Sequence, residues 1–301
     1  MTLKLKYWLG ALRPKTLPLS LAGVLSGNIL AAGRGGGSWR VALLSVLTAC
    51  FLQIASNLAN DIADFTSGLD NSRSLGRFHA LAEGTLGLSE YKIALCAALT
   101  ASAVFGLMLI LTAFGTLVEW QSLAMLTLGA LALTASAGYS LGRLAYGPRG
   151  LGGFAVFFFF GFAGVCGSFY LQAKYCPADC WVLGAVTGLL SWGVLNINDI
   201  RDMDNDSRHG KKSLAVRLGK RGALIFQGFL LFSAWLLLAL FAAINGGGWR
   251  YLVPVAFLPV FVKNLRSLAS FPPQKLDPLL GELSLAAFSA SVISACAAAY
   301  I

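Results

Sequence analysis

The chain has 301 residues, 57% of them hydrophobic and only 12% charged, with a mean hydropathy of +0.72. A soluble domain of this length carries about 25% charged residues, so composition argues against a water-soluble enzyme and for a polytopic membrane protein. The net charge of +10 does not signal nucleic acid, because no basic-aromatic platform for bases accompanies it and excess Lys and Arg in a membrane protein mostly set topology.

The start, Met1 to Lys6, is short and basic and runs into apolar sequence without a small-residue cleavage site, so no removable signal peptide is expected. Nine apolar segments follow, at 17–33, 41–58, 92–114, 121–141, 151–172, 181–198, 223–244, 250–268 and 283–301. Most reach the ~20 residues that cross ~30 Å of hydrocarbon as helix. The expectation is one all-α integral-membrane domain over residues 1–301, with nine transmembrane helices in a lipid bilayer. The fifth segment carries Gly152, Gly153, Gly161, Gly164 and Gly167, small residues that allow close helix approach. With the N-terminus cytoplasmic, 19 of the 23 basic residues fall on the cytoplasmic side and 4 on the other, which fixes the expected orientation in a cell (inner or plasma) membrane.

Two acidic clusters stand out. Asn57-Leu-Ala-Asn60-Asp61-Ile-Ala-Asp64, with Asp70 beyond, follows the second segment. Asn196-Ile-Asn198-Asp199-Ile-Arg-Asp202-Met-Asp204-Asn-Asp206 follows the sixth. Together they hold seven of the 13 acidic residues, and both contain Asn-Asp-x-x-Asp. Both fall on the expected cytoplasmic side, in the longest connections, 59–91 and 199–222. At 100° per residue, Asn57, Asp61 and Asp64 share one helical face, and Asn196, Asp199, Asp202 and Asp206 fall within about 120°. Acids stacked beside a membrane repel unless compensated and are usually functional. Hard oxygen donors without His or Cys suit magnesium or calcium rather than zinc. Two facing clusters suit two or more magnesium ions around a diphosphate, with Asn57, Asp61, Asp64, Asp199, Asp202 and Asp206 as the metal set. Arg77, Arg208, Lys211 and Lys212, interleaved in the same connections, are expected to add phosphate contacts.

Arg13 and Lys15 precede the first segment; they read either as contacts to an acceptor carboxylate or phosphate, or as topology anchors. His79 and His209 read as solvated loop residues. Gln53 and Gln172 are intramembrane amides, expected to join helices. Cys50, Cys96, Cys166 and Cys296 lie in apolar runs as small core residues. Cys176 and Cys180 share a short loop without a nearby His, so zinc is not expected there; a local disulfide and two unpaired thiols stay open.

These clusters resemble those of the UbiA superfamily of intramembrane prenyltransferases. The similarity is carried by Leu12-Arg-Pro-Lys-Thr-Leu-Pro18, by Asn57-Leu-Ala-Asn-Asp61 with Gly68-Leu-Asp70, by 161–172, and by 195–202 running on to Gly210-Lys-Lys-Ser-Leu-Ala-Val-Arg-Leu-Gly219. The resemblance implies a nine-helix bundle with Mg2+ and a polyprenyl diphosphate held at two Asp-rich motifs. It makes Asp61, Asp64, Asp202 and Asp206 the catalytic acids. Asn57, Asn60, Asp70, Asn198 and Lys211 are then substrate contacts, and so are Tyr139 with Arg143, which resemble the family's Tyr-plus-basic motif after the fourth helix. Gly68-x-Asp70 is the form of the branch that acts on 1,4-dihydroxy-2-naphthoate, and it disfavours the 4-hydroxybenzoate branch. Gly153 departs from the acidic residue expected in that branch. The implied reaction is polyprenyl transfer to the naphthoate ring with loss of its carboxylate as carbon dioxide, as in menaquinone biosynthesis. Phe157 to Phe160 either line the isoprenoid tunnel or face lipid. The alternatives are another aromatic or tetrapyrrole acceptor, or a cation-coupled transporter. The transporter predicts acids near midspan in broken helices, whereas here they gather at one face. Prenyl chain length and oligomeric state stay open.

Overall fold

The computed structural model describes residues 3–68 and 80–300. Among them, ten helices succeed one another: α1 Leu3–Leu12, α2 Leu17–Gly33, α3 Trp39–Thr66, α4 Leu88–Phe114, α5 Trp120–Gly138, α6 Gly152–Ala173, α7 Ala178–Arg208, α8 Leu214–Ile244, α9 Trp249–Ser270 and α10 Asp277–Ala299. Each apolar segment read from the sequence coincides with one of α2 to α10. Eight helices are long and apolar enough to cross a membrane singly, and α1 with α2 makes a ninth, bent by 50°. The chain is a multi-pass membrane protein. The helices leave large apolar side chains such as Ile93, Phe229, Phe232 and Leu236 exposed on their outer faces, as lipid contact allows.

Local chemistry explains where the helices stop. Ser38 caps α3 by accepting from the Val41 amide at 3.4 Å. Gly68, just beyond α3, sits at φ 74, a left-handed geometry that costs side-chain-bearing residues ~1–2 kcal/mol. The helix-ending turn explains the Gly at this position. Gly210 ends α7 likewise: at φ 74 it lets the Lys211 amide return to the Asp206 carbonyl at 2.9 Å and its own amide to Ser207 at 3.3 Å, a Schellman ending.

Three helices depart from the sequence reading in ways that shape the site. α3 and α7 continue as helix to Thr66 and Arg208, so the acids among the described residues of the two clusters stand on helical turns rather than in connections. And α6 is a π-helix from Phe157 to Gly167. Its glycines serve the close packing expected of them at Gly161, where a Cβ would fall 2.4 Å from the Gly184 carbonyl of α7. Gly167 is different, with only ordinary contact to Leu128, and it opens onto a cavity. The largest buried cluster joins α2, α6, α7, α8, α9 and α10; a second joins α1, α3, residues 80–86 and α4.

Candidate active site

The two acidic stripes meet at one end of the bundle, and Lys211 joins them. Its Nζ lies 2.7 Å from Asp64 on α3 and 3.8 Å from Asp206 on α7. No more than about 6.5 Å therefore separates those two carboxylate oxygens, although they are 142 positions apart in the chain. The Schellman ending at Gly210 turns Lys211 back over its own helix and onto α3. Burial opposes the charge on Lys211, but Asp64 and Asp206 outweigh it and raise its pKa above the ordinary lysine value.

Asp61, Asp64 and Asp202 each have a cation or amide close by. Arg13 pairs with Asp61. Arg13 sits in the bend between α1 and α2 at φ 48, a strained geometry worth roughly 1–3 kcal/mol that clusters at functional sites. Asn57 holds that bend: its amide donates to the Leu12 carbonyl at 3.1 Å and to Thr16 at 3.4 Å, and its oxygen accepts from Gln53 at 3.2 Å. In this arrangement Asn57 supports the segment that carries Arg13. Asn60 donates to Asp64 at 3.1 Å and accepts from Ser140 at 3.0 Å.

On α7, Arg201 is buried and grips Asp202 through two nitrogens, Nε at 2.8 Å and Nη2 at 2.7 Å; Nη2 also reaches Asn198 at 2.8 Å, and Nη1 pairs with Asp277 at the start of α10. Sequence reasoning counted Arg201 only as a topology charge and passed over Asp277. The signal available was Arg201 within Asn-Asp-Ile-Arg-Asp, three residues after Asn198 and hence on its helical face. Asn196 departs from the stripe: its amide donates to the Ala223 carbonyl at 3.1 Å and to Gln227 at 2.9 Å on α8.

Below the acids lies a cavity of about 350 Å³ between α2, α3, α4, α5, α6 and α7. Arg13, Asn60, Tyr139 and Asn198 form its polar end, and Leu109, Ile110, Met125, Leu128 and Phe159 its apolar depth. Of the Phe run, Phe159 and Phe160 line the cavity, whereas Phe158 is exposed on the outside. Tyr139 packs edge-on against Tyr146, centroids 5.4 Å apart. Lys15, Arg143 and Lys212 are exposed and lie outside the lining; the Lys212 backbone instead joins Pro148 at 2.8 Å. Asp70, Arg77 and His79 lie outside the described residues, and His209 is exposed at the end of α7. The departure at Gly153 has a steric reason: a Cβ there would fall 1.9 Å from Trp192 Nε1. The Trp192 indole fills the place an acidic side chain would need.

The donors suit a hard divalent cation. Around the acids they are carboxylate and amide oxygens, and among the described residues no three of these carboxylates converge within 4.8 Å. This donor set suits Mg2+, which takes one or two carboxylates and completes its shell with phosphate oxygens. The Lys211 ammonium, seated between Asp64 and Asp206, shows that the arrangement accepts a cation there.

Comparison with known proteins agrees with this geometry. Residues 20–280 match the UbiA prenyltransferase family. The chain is 37% identical over 277 residues to a 1,4-dihydroxy-2-naphthoate octaprenyltransferase of Escherichia coli, covering 91% of this chain and 88% of that one. It is 35% identical over 285 residues to the protein of the same description from Haemophilus influenzae, covering 94% and 92%. A UbiA homolog from Archaeoglobus fulgidus solved bound to GPP and Mg2+ shares the fold, with a TM-score of 0.57, 18% identity and coverage of 96% of this chain and 99% of that one. The chain belongs to the UbiA prenyltransferase family.

Proposed function

We propose that this protein transfers a polyprenyl group from its diphosphate to 1,4-dihydroxy-2-naphthoate, with loss of the ring carboxylate as carbon dioxide, giving demethylmenaquinol. The observation that carries the reading is the meeting of two Asn-Asp-x-x-Asp stripes over an apolar cavity, in a chain similar over nine-tenths of its length to proteins of that activity. Asp61 and Asp64 on α3, with Asp199, Asp202 and Asp206 on α7, are the residues that would hold Mg2+. When bound, the metal neutralises diphosphate charge and assists its departure.

The protein's own residues do the rest. Lys211 and Arg13 carry positive charge at the cavity mouth, where Lys211 meets diphosphate and Arg13 meets diphosphate or the acceptor carboxylate. Arg201 fixes the Asp202 carboxylate in one orientation, with Asp277 anchoring the guanidinium from behind. The apolar depth of the cavity holds the isoprenoid and keeps water from the allylic cation formed as the carbon–oxygen bond to diphosphate breaks. The electron-rich ring then supplies the electron pair for the new carbon–carbon bond. The acidic end faces the cytoplasm, as the distribution of basic residues requires.

The test is an acceptor panel. Purified protein with Mg2+ and a polyprenyl diphosphate is expected to release carbon dioxide and form a prenylated naphthoquinol from 1,4-dihydroxy-2-naphthoate. Turnover of 4-hydroxybenzoate in its place would overturn the acceptor and keep the family. A reporter fused to the C-terminus is expected to read out on the side opposite the N-terminus.

A further inference from the structure

At the end of the bundle opposite the acids, three thiols converge. Cys166 on α6 and Cys180 in the first turn of α7 are buried, and Cys176, in the connection between them, is half-buried. Their Sγ atoms all lie within 4.8 Å of one another. Cys180 stands 22 residues before Asp202 on the same helix, ~33 Å away at ~1.5 Å per residue, so this cluster is no part of the prenyl-transfer site.

The segment that presents Cys176 is held at both ends. Lys174 ends α6 in the left-handed region at φ 67. Its ammonium donates to the carbonyls of Ala113 at 2.6 Å and Leu171 at 2.7 Å and lies 3.8 Å from the Phe114 ring centroid. Pro177 leads into α7. Asp179, 4% exposed, pairs with Arg34 at the end of α2, and Arg34 lies 5.5 Å from the ring of Phe169, which packs edge-on against Tyr175. Arg34 and Asp179 thus place one charge of each sign beside the thiols.

We propose that Cys166, Cys176 and Cys180 form a site for a thiophilic d10 metal ion, monovalent copper. Three sulfurs each ~2.3 Å from a central metal in one plane would be spaced ~4 Å apart, which the cluster reaches with small side-chain adjustments. Soft thiolates select Cu(I) or Zn(II). Tetrahedral zinc needs a fourth ligand, and the neighbouring carboxylate, Asp179, is engaged by Arg34, whereas Cu(I) is satisfied by three sulfurs. Sequence reasoning missed the site because Cys166 is ten residues from Cys176 and reads as a core residue of its helix. Binding exchanges thiol protons for metal–sulfur bonds, with no change of oxidation state.

The experiment uses the full chain in detergent with Cys50, Cys96 and Cys296 replaced by Ser, titrated anaerobically with Cu(I) against a colorimetric Cu(I) chelator. The expected result is about one copper per chain with an ultraviolet thiolate-to-copper band and an all-sulfur X-ray absorption shell. Cys176→Ser in that background is expected to abolish band and binding while helical circular dichroism and prenyl transfer persist; Cys166→Ser serves as the second variant. Copper retained by both variants, zinc displacing copper at equal concentration, or a disulfide among these cysteines that excludes copper would each overturn the proposal.

Discussion

Lys211→Met isolates what one cation does between two sets of acids. The substitution keeps most of the side-chain volume and removes the charge shared by Asp64 and Asp206. With their oxygens no more than about 6.5 Å apart, two unit charges at an effective dielectric of 20 repel by about 2.5 kcal/mol. Lys211 is 20% exposed, so solvent at the mouth screens part of this; half of it, about 1.3 kcal/mol, is a factor of about ten. A divalent cation relieves the same repulsion, so the variant should bind Mn2+, read by electron paramagnetic resonance, about tenfold more tightly. Losing a phosphate contact should also raise KM for the polyprenyl diphosphate about tenfold. Mn2+ affinity unchanged or weaker, in a variant whose melting temperature is preserved, would refute the reasoning.

Asp64→Ala and Asp202→Ala should each lower kcat/KM by at least about 100-fold, ~2.7 kcal/mol of transition-state stabilisation, and full activity in either would remove these acids from the metal set. Arg201→Met leaves Asp202 and Asp277 without their shared buried cation and should destabilise the protein by about 3–5 kcal/mol, while Arg201→Lys keeps the charge but loses the two-nitrogen grip; a thermal-shift series with Asp277→Asn measures the coupling. Gly210→Ala should lose activity through a displaced Lys211, with about 1–2 kcal/mol at stake, and Gly210→Asn, which tolerates the left-handed turn, should recover most of it. Gly153→Ala should lower the melting temperature by overpacking against Trp192, about 1–3 kcal/mol, and in a Trp192→Ala background the same substitution should cost little; equal melting temperatures for wild type and Gly153→Ala would contradict the packing.

The bundle was legible because span length and apolar composition are constraints of the bilayer itself, and each of the nine segments survives as α2 to α10. The acidic stripes were legible because helical periodicity places Asp61 and Asp64 on one face before any partner is known. What escaped depends on contacts distant in sequence. Nothing local to Asp277 says that its partner is Arg201, and nothing local to Asn57 says that its amide closes on the Leu12 carbonyl. Charge near a motif looks alike whichever way it points, so the sequence did not separate Lys211, which joins Asp64 and Asp206, from the exposed Lys15, Arg143 and Lys212. Gly153 looked like a departure from a pattern, and its steric cause is visible only in three dimensions.

The π-helical stretch of α6 bears on how this cavity changes over generations. Phe159, Phe160, Ala163, Gly164 and Gly167 all line it, and all belong to the wide turns between Phe157 and Gly167. A wide turn differs from an ordinary one by a single residue per hydrogen-bonded ring. Losing one codon here would tighten a turn and deal a different set of side chains onto the wall, while the ends of the span stay within the bilayer. Most transmembrane helices can be altered only by exchanging residues; this one offers insertion and deletion as a second route to a tunnel of another shape, and so to a donor of another length.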